Sequence, residues 1–135
     1  MYGMIEYDIK SSLEEITGLP AYPLLLPDNI QEGVTYQRIS DPKFDTGLAI
    51  TSLVNARFQI SIYLIDDYAR LLELDRAIRN TWENITHGHI GEYPVQAVTR
   101  GTVHQDKTEL TKGRVQYRIT RDFVICYSES SYDQG

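Results

Sequence analysis

The sequence predicts an α+β domain: a mainly antiparallel β-sheet with two helices packed on one face. Three observations predict it. Within residues 55–65 the stretch ARFQISIYLI alternates, with Phe58, Ile60, Ile62 and Leu64 pointing one way and Arg57, Gln59 and Ser61 the other. That is the period of a half-buried strand. Directly after two aspartates the period changes, and Leu71, Leu74, Ile78, Thr81/Trp82 and Ile85 recur at helical steps. From residue 94 onward strand patterns follow one another with no helix between them, which separates strands from helices along the chain.

The elements follow in order. Residues 4–17 read as a first helix, with Ile5, Ile9, Leu13 and Ile16 as its apolar stripe and Gly18 and Pro20 as its stop. The apolar run 21–27 is bracketed by prolines. It reads as an edge segment, because Pro23 has no N–H to give a central ladder. Residues 28–33 are a turn. Residues 34–40, VTYQRIS, are rich in β-branched and aromatic residues and predict a strand. A long loop, 41–54, separates strands 34–40 and 55–65. Its Phe44, Leu48, Ile50 and Leu53 are more apolar than a free loop needs, so it either packs on its own domain or meets a partner.

Asp66 is expected to cap the central helix, with Asp67 favoured by the helix dipole. Its outer face carries Arg70, Glu73, Arg76, Asn80 and Glu83, and Asp75–Arg79 reads as an i,i+4 pair. His87-Gly88-His89-Ile90-Gly91 reads as a connector, 94–103 as a strand bending near Gly101, and 104–113 as a polar hairpin loop. The last strand, 114–128, presents Val115, Tyr117, Ile119, Phe123, Ile125 and Tyr127 on one face, with Arg121 interrupting that face. A bulge near residues 120–122, or burial of both faces, accounts for it. The expected organisation is a single domain over 1–128 and a polar tail over 129–135.

A chain of 135 residues supports one core. With 19 acidic and 13 basic side chains, its net charge of −6 disfavours gripping phosphates, since nucleic-acid affinity comes mainly from lysine and arginine. The charge is uneven. Residues 1–33 hold six acids against Lys10, whereas residues 100–121 hold six bases against Asp106 and Glu109. Such poles either are solvated faces or pair head to tail with a second copy. The one cysteine forbids an internal disulfide and fits a reducing compartment. The acidic N-terminus lacks the pattern of a signal peptide, and no stretch is long enough to span a membrane. The expectation is a soluble protein, intracellular at synthesis.

No Gly-rich phosphate loop, nucleophile elbow or Cys-x-x-Cys pair is present. His87, His89 and His104 are the only metal-ligand candidates of their type, and a polar turn explains them as well. Cys126 lies in an apolar strand and reads as a buried small hydrophobe. Asp66/Asp67 and Glu14/Glu15 have simpler roles as a helix cap and a wet helix face than acid–base work. Trp82 reads as core. The ten tyrosines lean toward a binding or assembly protein.

Three segments, TYQRISD, ARFQISIYLIDDYARLLELDRAIRNTWEN and YRITRDFVICYSE, occur in an order that resembles the tail terminator proteins of long-tailed bacteriophages, also called tail completion or tail-to-head joining proteins. The likeness covers most of residues 4–128 and carries no catalytic signature. Where many relatives have a proline before the TYQRIS strand, this chain has Glu32-Gly33. The resemblance implies a structural virion protein at the head-proximal end of the tail, assembled in the host cytoplasm. It implies a ring, usually a hexamer, that caps the tail tube, stops tube polymerisation and offers a surface to the head-completion or connector protein. DNA would pass through the lumen without specific binding, and neither enzymatic activity nor a cofactor is implied. On that reading the expected subunit interface uses Lys43, Phe44, Asp45 and Leu48 in the long loop and Lys107, Lys112 and Arg114 in the hairpin, with Glu6, Glu14 and Glu15 as the acidic counterpart. Two alternatives remain open: another neck or minor tail protein, and a small metal- or ligand-binding enzyme using the His87–His104 region.

Overall fold

The computed structural model describes residues 4–42 and 53–129. The order of elements is α1 (Ile5–Thr17), β1 (Ala21–Pro23), β2 (Gly33–Ser40), β3 (Leu53–Ile65), α2 (Tyr68–Trp82), β4 (Thr86–Ile90), β5 (Tyr93–Glu109), a 3-10 turn (Thr111–Gly113) and β6 (Val115–Ser128). The six strands form one sheet in the order β1-β2-β3-β6-β5-β4. Only β1 and β2 run parallel; the other neighbours are antiparallel. The fold is α+β, with both helices on one face of the sheet.

The central pairing is β3 with β6, in which every residue from Leu53 to Ile65 has a partner, from Ser128 back to Gln116. The alternation read in the sequence sets the two faces. Val54, Ala56, Phe58, Ile60, Ile62 and Leu64 are buried under the helices. Ile119, Phe123, Ile125 and Tyr127 join them from β6. Leu71, Ile78 and Trp82 of α2 close the core from above, and Ile5, Ile9 and Leu13 of α1 fill the space beside it. Trp82 meets Phe123 edge-on with ring centroids 5.1 Å apart. Its indole N–H donates to Ser12 Oγ at 3.0 Å, which ties α2 to α1. Gly18, at φ 72°, ends α1 in the left-handed conformation and donates its N–H to the Glu14 carbonyl.

Arg121 occupies a core position of β6, and the structure shows why. Asp75 falls on the buried stripe of α2 with Leu71, Ile78 and Trp82, not on the outer face. It accepts from Arg121 Nε and Nη2 at 2.8 and 3.1 Å, and from Arg79 Nε at 3.0 Å. The Asp75–Arg79 pair expected on the surface is thus part of a buried node.

Several expectations are corrected. The cap of α2 is Asp67, whose carboxylate accepts from Arg70 N–H. Asp66 instead turns the chain at φ 56° and accepts from Val115 N–H at 2.8 Å. The connector at 87–91 is strand β4, held by pairing with residues 93–97. The expected hairpin loop at 104–113 is mostly strand, because β5 pairs with β6 as far as Glu109 opposite Val115. The bulge lies across from residues 120–122, in β5, between Arg100 and Val103. Gly101 is required there, since a Cβ would stand 2.8 Å from Arg57 Nη1 and 2.9 Å from Asp122 Cβ. Cys126 is half-buried on the face away from the helices, not enclosed in the core. The loop residues 43–52 and the tail residues 130–135 lie outside the described residues.

Asp75→Ala is expected to lower stability by about 3–5 kcal/mol, because it leaves Arg121 buried without its counter-charge. Urea unfolding checks this, and a loss below about 1 kcal/mol would show that the node contributes little.

Candidate functional site

The structure gives the charge poles a definite geometry. The cationic candidates Lys107, Lys112 and Arg114 gather at the distal end of the β5–β6 hairpin. Glu6 lies at the opposite end of the sheet, beside Arg38 and Glu129. The length of β6 separates them, about 45 Å for an extended strand of that size.

Most of the charge seen in the sequence is consumed locally. On the basic side, Arg100 pairs with Glu83, Arg118 with Asp106, and Arg121 with Asp75. The Arg118 hydrogen bond holds the Asp106 carboxyl below its ordinary pKa. Arg114 approaches Asp66 at 3.7 Å. Lys107 and Lys112 are exposed and have no ion pair among the described residues. Lys112 sits at φ 63° within the turn at the hairpin tip.

On the acidic side, Glu6 takes two hydrogen bonds from Arg38, at 3.0 and 2.8 Å. The same guanidinium donates to Asp41 at 3.2 Å and Glu129 at 3.3 Å, and lies over the rings of Phe58 and Tyr127. Burial works against its charge, but the Glu6 hydrogen bonds prevail and raise its pKa. Burial likewise pushes the Tyr127 phenol up, with Arg38 pulling back. Three carboxylates on one guanidinium leave this end with surplus negative charge. It joins α1 to the end of β2 and to the residue after β6. Sequence reading placed Arg38 only within a family motif; its phase gives the role away, since it continues the buried face of Val34 and Tyr36.

Glu14 accepts from Lys10 Nζ at 3.0 Å and from Ala21 N–H at 3.1 Å. Glu15 is exposed. It lines a groove of about 520 Å³ between α1, α2 and β4, whose walls include Ile16, Ala77, Trp82 and Ile85. So the structure leaves Glu15 open among the acidic candidates, and Lys107 and Lys112 open among the basic ones. Lys43, Phe44, Asp45 and Leu48 lie outside the described residues.

The face away from the helices carries a shallow polar cleft of about 350 Å³. Thr35 and Gln37 of β2, Gln59 and Ser61 of β3, and Arg118 and Thr120 of β6 form its floor, with Leu24 and Leu25 at its rim. Ser61 and Thr120 hydrogen-bond each other at 2.8 Å, so the serine is not set against a base. Burial raises the Cys126 thiol pKa, which disfavours the thiolate.

The three histidines do not converge. His87 Nδ1 is 2.7 Å from Gln96 Oε1, near the β4–β5 turn. His104 lies seven residues along β5 from Ala97, the partner of Thr86, which is roughly 23 Å of strand. Among the described residues no group of three histidine, cysteine or acidic side chains is placed to hold a metal ion. No helix among them is long and apolar enough to cross a membrane.

No protein-family model matches this chain, and no curated protein matches it. Among solved structures 28 chains match. One of them, named only by a sequence label, aligns over 94% of this chain and 99% of its own at 11% identity and a TM-score of 0.48. That likeness is too loose to bear on function.

The Glu14 carboxyl is held below its ordinary value of 4.5, first by the Ala21 N–H and then by Lys10. Its folded pKa lies below its unfolded one, so it stabilises the fold above about pH 4.5 and that contribution is lost as the pH falls through the folded value. Glu14→Gln is expected to lower stability at neutral pH and to flatten the acid limb below pH 4.5. Urea midpoints across a pH series check it; parallel curves for the two proteins would refute it.

Proposed function

We propose that this protein is a structural ring subunit that caps the tail tube of a long-tailed bacteriophage, ends tube growth and presents the surface to which the head is joined. The observation that carries the reading is the pairing of a protrusion with a concavity at separate places on one small domain. The protrusion is the β5–β6 tip, with exposed Lys112. The concavity is the α1–α2–β4 groove, with exposed Glu15 beside half-buried Ile16 and Ile85. Unlike patches on one chain build heterologous contacts, and these close into rings when the rotation per subunit divides a full turn. Opposite charges on the two patches favour that register over others.

The order of sequence motifs supports the same reading, as does the net negative charge, because a channel that bound phosphates firmly would retard passing DNA. The partners on this reading are other copies of the chain, the tail tube protein and a head-completion or connector protein, and the location is the virion.

The test is a charge swap. Lys112→Glu and Glu15→Lys should each give folded protein that forms no rings in electron micrographs and leaves tubes growing past their normal length. The double variant should restore both rings and tube length. Rings that persist in both single variants would refute the contact, and unaltered tube growth in the presence of wild-type rings would refute the capping role.

A further inference from the structure

We propose that the outer edge of β5, from Val103 to Lys107, is a docking edge for the same edge of a second copy of this chain, paired antiparallel about a two-fold axis through Gln105. This contact is separate from the ring contact proposed above and stands or falls without it.

The edge is open. β4 covers β5 only as far as Ala97, and beyond that point the neighbour of β5 is β6, on its inner side. In an antiparallel strand about half of the backbone N–H and C=O groups point to each side, so the outward set of residues 99–109 faces solvent. Every residue of that stretch is exposed. A long unprotected edge is a template for another strand. The one bulge, at Gly101 and Thr102, ends before the stretch begins, and from Val103 to Glu109 the strand is regular.

The side chains select the occupant and the register. Val103, Gln105 and Lys107 share the helix-side face, opposite Arg121, Ile119 and Tyr117. His104 and Asp106 share the other face, opposite Thr120 and Arg118. A two-fold at Gln105 sets Val103 against Lys107, His104 against Asp106, and Gln105 against Gln105, all with faces matched and no like charges opposed. Moving the axis to Asp106 or Lys107 opposes identical charges, and moving it to His104 opposes two imidazoles. An axis between residues would set the apolar-side face of one copy against the polar face of the other. Cross-strand pairs of this kind decide register in sheets. The helices pack mainly elsewhere: α2 packs on β3 and β6, and its ends touch β5 where the Tyr68 hydroxyl meets Gln105 and where Glu83 pairs with Arg100, outside the stretch.

The experiment is sedimentation equilibrium of the full chain carrying Glu15→Lys, which removes the proposed ring contact, over a wide concentration range. The parent should show a monomer–dimer equilibrium. Val103→Lys, which faces Lys107 twice across the axis, should weaken the dimer about tenfold, and Val103→Glu should strengthen it by a similar factor. Val103→Lys combined with Lys107→Glu carries the same two opposite-charge pairs as Val103→Glu and should likewise bind more tightly than the parent. Val103 is half-exposed and outside the core, so folding is not at risk. A monomer at every concentration, or a dimer with the same constant in all four proteins, would overturn the proposal.

Discussion

The unbroken ladder between β3 and β6 is the constraint on which the rest of the molecule depends. Both strands are central in the sheet, so their backbone groups are satisfied on two sides, and their apolar faces form the floor of the core. The ladder ends at Ile65 and Gln116, so the β5–β6 tip projects just past the start of α2, where Arg114 approaches Asp66. Its phase decides which side chains of β2 and β5 face the core, because each flanking strand takes its register from it. A slip of one residue would turn Phe58, Ile60 and Ile62 to solvent and bring Arg57, Gln59 and Ser61 under α2.

The two faces of this sheet are used differently. The covered face is mainly apolar; its charged groups include the buried Asp75 with Arg121 and the half-buried Glu6 with Arg38. Buried ion pairs seldom add net stability over apolar packing, but they punish any arrangement that separates the partners. Here each fixes the position of a helix: Asp75 sets α2 against β6, and Glu6 sets α1 against β2. The open face is a ladder of neutral and paired polar groups, with the Ser61–Thr120 and Arg57–Asp122 contacts at its centre. What the surface presents is shape and residual charge, after most ionic groups have been neutralised at home.

The elements legible in the sequence were those whose own side chains report burial. The alternation at 55–65 and the helical stripe at 71–82 both predicted their elements, since one face of each meets the core. β4 was hidden because His87-Gly88-His89 has turn composition; the pairing with β5 and the burial of Ile90 override it. The outer half of β5 was hidden because it buries nothing and is held by its partner strand, with Asp106 against Arg118 as the clue. The buried node was legible in principle. Asp75 and Arg121 each break an apolar phase, and two opposite charges in core positions imply each other. For the interface candidates the sequence showed the sign of each segment but not which charges were spent: local pairs at Arg38, Lys10 and Asp66 left Lys107, Lys112 and Glu15 open.

Amide hydrogen exchange on the full chain tests the primacy of the β3–β6 ladder most directly. If the ladder is the frame, amides from Ala56 to Leu64 and from Ile119 to Ile125 will be the slowest in the protein and will share one rate, that of global unfolding, while those of α1 and β1 open earlier. Helix amides that outlast the ladder, or a ladder that exchanges in separate pieces, would contradict the account.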